Sequence, residues 1–227
     1  MKYKLLVLDV DGTLLGNDNQ ISKRTLHALR KVQQMGIRIM LASGRPTYGL
    51  LSLAKTLELG VYDGYVLSYN GGQVISARNG EVIFERRINP EQIPYLEKKA
   101  VKNGFTIMTY NEDRVVTNRA DNARVAAEAD LNGMQMEVQE LFSVMIDYSP
   151  CKCMLVSEDE EALVQLEQHW KRRLSGVLDV FRSEPYFLEV VASGVDKGNT
   201  LAAVMEKLDI KTDEVMAFGD GVADVSM

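Results

Sequence analysis

The chain has 227 residues, 46% of them hydrophobic and 26% charged, an ordinary globular composition that argues against disorder. No run approaches the ~20 apolar residues of a membrane-spanning helix, and a formal charge of −6 with both signs dispersed leaves no basic stripe for a nucleic acid. The length fits either one large core or a core with an inserted module. Residues 1–8 briefly imitate a signal peptide, but Asp9 and Asp11 interrupt the apolar run and no small-residue cleavage site follows, so a cytoplasmic location is expected. The first predicted strand is Lys4 to Asp9, an apolar run ending in acid. Ser22 suits the cap of a helix carrying Leu26, Leu29 and Val32, which Gly36 ends. Ile37 to Ala42 reads as a second strand, and Pro46 opens a helix with Leu50, Leu53, Ala54 and Leu57 on one face. Tyr65 to Ser68 is a third strand. Short links between alternating strands and helices imply a parallel sheet covered on both faces.

After residue 73 the rhythm changes. Gln73 to Ala77 and Glu81 to Arg87 flank Asn79-Gly80, a strong hairpin signal. A helix is predicted from Pro90 to Asn103, a hairpin over 105–118, and a short helix near 121–130. A strand follows at Cys151 to Val156, a helix at Glu158 to Leu174 and a strand at Val177 to Arg182. This is an α+β module between two α/β pieces. The α/β pattern resumes with a helix from Lys197 to Leu208 and a strand from Val215 to Asp220, which again ends in acid. Cys151 and Cys153 lie in a predicted strand without His or Cys partners, so a reduced pair outside any metal site is expected. His27 and His169 sit on predicted helices without partners, in surface or packing roles.

Four polar clusters lie at predicted element ends: Asp9-Val10-Asp11-Gly12-Thr13, Ser43-Gly44-Arg45, Lys197-Gly198-Asn199, and Gly219-Asp220 with Asp224. Ligands of open α/β sheets bind outside the carboxyl ends of the strands, where such clusters converge. Up to four carboxylates in one crevice either raise each other's pKa or demand a cation. An all-oxygen set suits Mg²⁺. Lys197 and the start of its helix favour an anion, and Ser43 can donate a hydroxyl. A magnesium site facing anion donors is the equipment of phosphoryl transfer. Within Asp9-Val10-Asp11, one carboxylate could attack phosphorus while the other protonates the leaving oxygen and later activates water. The Gly-x-x-x-x-Gly-Lys-[Ser/Thr] spacing of a nucleotide P-loop is absent around Lys197, and no Gly-x-Gly-x-x-Gly follows the first strand.

Asp9 to Leu15, Leu41 to Arg45, Lys197-Gly198 and Gly219-Asp220 with Asp224 resemble, in order, the four motifs of the haloacid dehalogenase (HAD) superfamily of phosphatases. The α+β insert and Tyr69-Asn70-Gly71-Gly72 resemble the Cof-type, subfamily IIB branch. The resemblance implies a Rossmann-like parallel-sheet core over 1–82 and 188–227, with a substrate-selecting α+β cap over 83–187. It implies Asp9 as nucleophile and Asp11 as general acid/base. Asp9, the backbone carbonyl of Asp11, and Asp220 would hold Mg²⁺, with Asp224 in or just behind that set. Ser43 and Lys197 would bind the phosphoryl group, with Gly44, Arg45 and Asn70 as secondary contacts. The implied substrate is a small phosphorylated metabolite: a sugar phosphate, nucleotide or phosphorylated cofactor. The sequence departs from the pattern in two places. The family commonly has Asn before the last Asp of the fourth motif, where this chain has Ala223, and relatives continue past that motif, whereas this chain stops at Met227. Either the sequence is a truncated form or the protein has lost an edge of its core sheet, and the strand ending at Asp220 would then be less covered than usual. Alternative readings are a phosphomutase using the same intermediate, or a family member that binds phosphorylated ligands without turnover.

Overall fold

A computed structural model describes residues 2–16 and 18–227. Strand β1 (Leu5–Asp9) is buried along its length, and its alternating side chains feed two different cores. Leu5 and Val7 pack with Met40, Leu67 and Val204, whereas Leu6 and Leu8 pack with Leu41, Leu50 and Leu57. Helix α1 (Lys23–Gln34) starts at Ser22, whose Oγ accepts the Thr25 N–H, and Gly36 follows its end with φ +85°. Strand β2 (Arg38–Ala42), helix α2 (Thr47–Thr56) and strand β3 (Tyr65–Ser68) then repeat the strand–helix unit. Strands β4 (Gln73–Ser76) and β5 (Val82–Glu85) form the hairpin that Asn79-Gly80 signals.

The next stretch holds α3 (Ile93–Lys102), which continues from a 3₁₀ turn at Pro90–Gln92, then β6 (Thr106–Asn111), β7 (Arg114–Thr117) and α4 (Ala123–Leu131). It continues with β8 (Gln135–Val138), α5 (Phe142–Met145), β9 (Lys152–Val156), α6 (Glu160–Arg173), β10 (Leu178–Glu184) and β11 (Phe187–Ala192). Helix α7 (Lys197–Lys207) and strand β12 (Val215–Phe218) complete the chain's main elements.

Two sheets result. One has the order β12-β1-β2-β3-β4-β5, the other β10-β11-β9-β6-β7-β8. In the first, β12, β1, β2 and β3 are parallel, so their carboxyl ends share one edge, while β4 and β5 extend the sheet antiparallel. The parallel part expected from the alternating strand–helix units is β12, β1, β2 and β3, and the hairpin expected after residue 73 extends the same sheet antiparallel. The second sheet is antiparallel except for the β7–β8 pair. Its own core includes Trp170, Phe142, Ile93 and Leu188.

The chain divides into two compact units, Met1–Glu85 with Val195–Met227, and Arg86–Gly194. Both crossings lie later than the expected 83 and 187. The first shifts because β5 completes the hairpin with β4, and the second because β11 inserts between β10 and β9. Strands β8 and β11 and helix α5 carry no strong local signal. Among the described residues Cys151 and Cys153 form no disulfide, and both are buried, the latter within β9 and the former just before it.

Candidate active site

Parity along β1 decides where Asp9 points. It shares a face with Leu5 and Val7, the face that Leu201, Val204 and Met205 of α7 cover. Helix α7 starts at Lys197, with Asp196 as its cap accepting the Asn199 N–H at 2.9 Å. The buried Lys197 Nζ donates to Asp9 Oδ1 and to Asp224 Oδ1, each at 2.6 Å. The loop after β12 brings Asp220 and Asp224 to the same place. Asp224 Oδ2 accepts the backbone N–H groups of Asp220 (3.2 Å) and Gly221 (2.9 Å), which fixes the turn. Asp220 Oδ1 accepts the Thr13 hydroxyl at 2.6 Å. Gly12, at φ +88°, lies so close to the Asp220 carboxylate that any Cβ would collide with it.

Carboxylate oxygens of Asp9, Asp220 and Asp224 lie within 4.8 Å of one another. Burial pushes the Asp9 carboxyl pKa up; the Lys197 ammonium pulls it down and the Asp224 charge raises it again. Hard oxygen donors at this spacing suit a hard divalent ion, and the Lys197 ammonium already occupies the attractive field of two of them. The donor set therefore fits Mg²⁺.

Asp11 stands apart from this trio, so the crevice gathers three carboxylates instead of the four that the sequence allows. Its exposed side chain is held by Arg45, whose Nε donates to Oδ2 at 2.9 Å and whose Nη2 donates to Oδ1. Ser43 is buried beyond the end of β2 and its Oγ accepts the Arg45 N–H at 3.1 Å. The Asn70 N–H donates to the Ser43 carbonyl at 3.0 Å, and Gly44 lies against the Asn70 side-chain amide, where an added Cβ would be 3.1 Å from its oxygen. Asp9, Lys197, Asp220 and Asp224 thus form one cluster, while Asp11, Arg45, Ser43, Gly44 and Asn70 form a second group joined to it through β1. Ala223, where the family commonly has Asn, is exposed.

Some contacts had no local sequence signal. The Thr13 hydroxyl bridges to Asp220, 207 residues away. Thr200 Oγ1 donates to the Gly71 carbonyl at 2.9 Å, tying the loop after β3 to the start of α7. Ser226 Oγ donates to Asp196 Oδ2 at 2.8 Å and accepts the Gly198 N–H at 3.1 Å.

Comparison with known proteins places this arrangement. A family model of haloacid dehalogenase-like hydrolases matches residues 6–227. The HMP-PP phosphatase of Yersinia pseudotuberculosis is 28% identical over 225 residues, a match covering 99% of this chain and 80% of that protein. A haloacid dehalogenase-like hydrolase from Bacteroides thetaiotaomicron superposes with a TM-score of 0.94 at 41% identity, covering 100% of this chain and 85% of the other. The fold is also that of the HAD subclass IIB sugar phosphatase BT4131, with a TM-score of 0.79 at 24% identity over 98% of this chain and 83% of that one. The chain therefore belongs to the haloacid dehalogenase-like hydrolase family, as an enzyme of its phosphatase type.

Proposed function

We propose that the chain is a Mg²⁺-dependent phosphatase that hydrolyses a small phosphorylated metabolite through an aspartyl-phosphate on Asp9. The observation that carries this reading is the bridge from Lys197 to both Asp9 and Asp224, with Asp220 completing the cluster at the strand ends. Asp9, Asp220, Asp224 and the Asp11 carbonyl are the groups that would hold Mg²⁺. Once bound, the ion would offset repulsion between these carboxylates and an incoming phosphate.

An oxygen of Asp9 forms a bond to phosphorus as the bond to the leaving oxygen breaks. Asp11 gives that oxygen a proton. Asp11, now a carboxylate, takes a proton from water, whose oxygen attacks phosphorus and breaks the bond to Asp9. Inorganic phosphate leaves and both aspartates are restored. Lys197 and Ser43 orient the phosphoryl oxygens, with Lys197 supplying the charge where negative charge builds up. Gly44 and Asn70 shape the wall beside Ser43. The unit Arg86–Gly194 would select the leaving group. The related HMP-PP phosphatase by its name, and the fold shared with a sugar phosphatase, support a sugar phosphate, nucleotide or phosphorylated cofactor as substrate class.

Release of inorganic phosphate from p-nitrophenyl phosphate, with and without Mg²⁺, tests the reading. Wild type should turn over only with the metal, and Asp9→Asn should lose at least about 10³-fold in kcat, as removal of a nucleophile does. Equal rates for wild type and Asp9→Asn would remove the nucleophile assignment, and hydrolysis in EDTA would remove the metal.

A further inference from the structure

We infer that Arg45 is a positioning residue for Asp11, holding the acid/base at the rim of the carboxylate cluster, and does not itself bind the transferred phosphoryl group. The inference rests on the roles proposed above for Asp9 and Asp11.

Asp11 lies beyond the end of β1, and its side chain is 51% exposed. An exposed carboxylate on a glycine-flanked turn has no packing to choose its rotamer, so something else must orient it. Arg45 provides that: its side chain is only 10% exposed, and its Nε and Nη2 meet both carboxylate oxygens. A planar guanidinium matches a carboxylate in this two-point way, which fixes orientation as well as distance. The base of the clamp is fixed in turn. The Arg45 N–H donates to Ser43 Oγ at 3.1 Å, and its carbonyl accepts the Tyr69 N–H at 2.9 Å. Among the described residues, the polar contacts of the guanidinium are with Asp11 alone. The two cations are thus divided, with Lys197 serving Asp9 and Asp224, and Arg45 serving Asp11.

The consequence falls on one bond. When Asp9 attacks phosphorus, the electron pair of the breaking P–O bond stays on the leaving oxygen. A basic alkoxide needs the Asp11 proton there, whereas p-nitrophenolate departs without it. Loss of the Arg45 clamp therefore acts selectively on poor leaving groups.

The test compares kcat/KM, which reports the first chemical step, for glycerol phosphate and p-nitrophenyl phosphate in wild type, Arg45→Ala, Arg45→Lys, Asp11→Asn and the double variant Arg45→Ala/Asp11→Asn. Calorimetric titration with inorganic phosphate in Mg²⁺ gives phosphate affinity without turnover. For Arg45→Ala, kcat/KM should fall about 10²-fold with glycerol phosphate and less than about 10-fold with p-nitrophenyl phosphate. Phosphate affinity should stay within about twofold. Arg45→Lys, which keeps the charge but not the fork, should recover part of the loss. The double variant should be no worse than Asp11→Asn, because Arg45 acts through Asp11. Equal losses on both substrates, weakened phosphate binding, or additive losses in the double variant would each overturn the inference. If Arg45→Ala does not melt cooperatively, Arg45→Lys and Arg45→Gln carry the same comparison. A wild type without turnover, or an Asp9→Asn variant as active as wild type, would remove the proposed function itself and this inference with it.

Discussion

Asp9 is buried, and burial pushes its carboxyl pKa up even with the Lys197 ammonium 2.6 Å away. For a carboxyl group raised in this way, the stability it contributes is present below the ordinary carboxylate pKa of ~3.9 and is lost as pH rises through the higher folded value. At neutral pH, ionised Asp9 therefore weakens the fold in exchange for a reactive oxygen. Asp9→Asn should accordingly melt a few degrees above wild type in EDTA at neutral pH, with the gap closing as pH falls towards 4. A lower melting temperature for Asp9→Asn at neutral pH would contradict this account. Lys197 has the opposite balance. Lys197→Met leaves two carboxylates facing each other without their cation, and breaking a buried pair costs about 3–5 kcal/mol. Urea unfolding without metal should show a loss near the lower figure, because Asp224 is only partly buried. The trio of carboxylates also predicts a linkage: saturating Mg²⁺ should raise the melting temperature of wild type, and Asp220→Asn should abolish most of that rise.

Between elements, the start of α7 is set by the loop after β3. Gly71, at φ +106°, sits where an added Cβ would be 2.7 Å from the Asp196 carbonyl oxygen and 2.8 Å from Thr200 Oγ1. Gly71→Ala thus forces both an unfavourable backbone conformation and a shift of the helix end that carries Lys197. A destabilisation of about 1–3 kcal/mol is expected from the strain alone, together with a fall in kcat. Thr200→Ser keeps the hydrogen bond to the Gly71 carbonyl and should behave much closer to wild type in both measurements. In the other unit, β9 lies between β11 and β6, and burial pushes the Cys153 thiol up to about 12. Cys153 therefore stays a neutral thiol at ordinary pH. A thiol reagent at pH 8 should label neither Cys151 nor Cys153 in the native protein and both after denaturation. Rapid native labelling would show that this strand opens.

At the scale of the molecule, the second unit is an insertion between two segments of the first. Its ends meet locally, since Arg86 Nη1 donates to the Ser193 carbonyl at 3.0 Å, and it has its own core around Trp170 and Phe142. A unit with adjacent ends, a private core and a six-stranded sheet has what independent folding requires. Residues 86–194 expressed alone should give a cooperative thermal transition by circular dichroism, unaffected by Mg²⁺. A featureless melt would show that this core depends on the remainder of the chain.

Much of this was legible in the chain because its causes are local. Ser22 caps α1, Asn79-Gly80 turns the β4–β5 hairpin, and β1 and β12 read as apolar runs ending at or just before acids. Strand β8 is short and largely exposed, so it shows no clear alternation, while β11 is buried like β1 but its apolar run is broken by Glu189, which pairs with Lys152 of β9 only in the folded sheet. The order of the four motifs put Asp9, Asp11, Ser43, Lys197 and Asp220 on a short list. Their division into partners came only with assembly. Parity along β1 and the packing of α7 bring Lys197 to Asp9 across 188 residues, while the bend at Gly12 leaves Asp11 to Arg45, 34 residues away. Charge identity is written residue by residue, but which charges pair, and how far burial shifts them, depends on distances and dielectric surroundings that exist only once the strands and helices have packed.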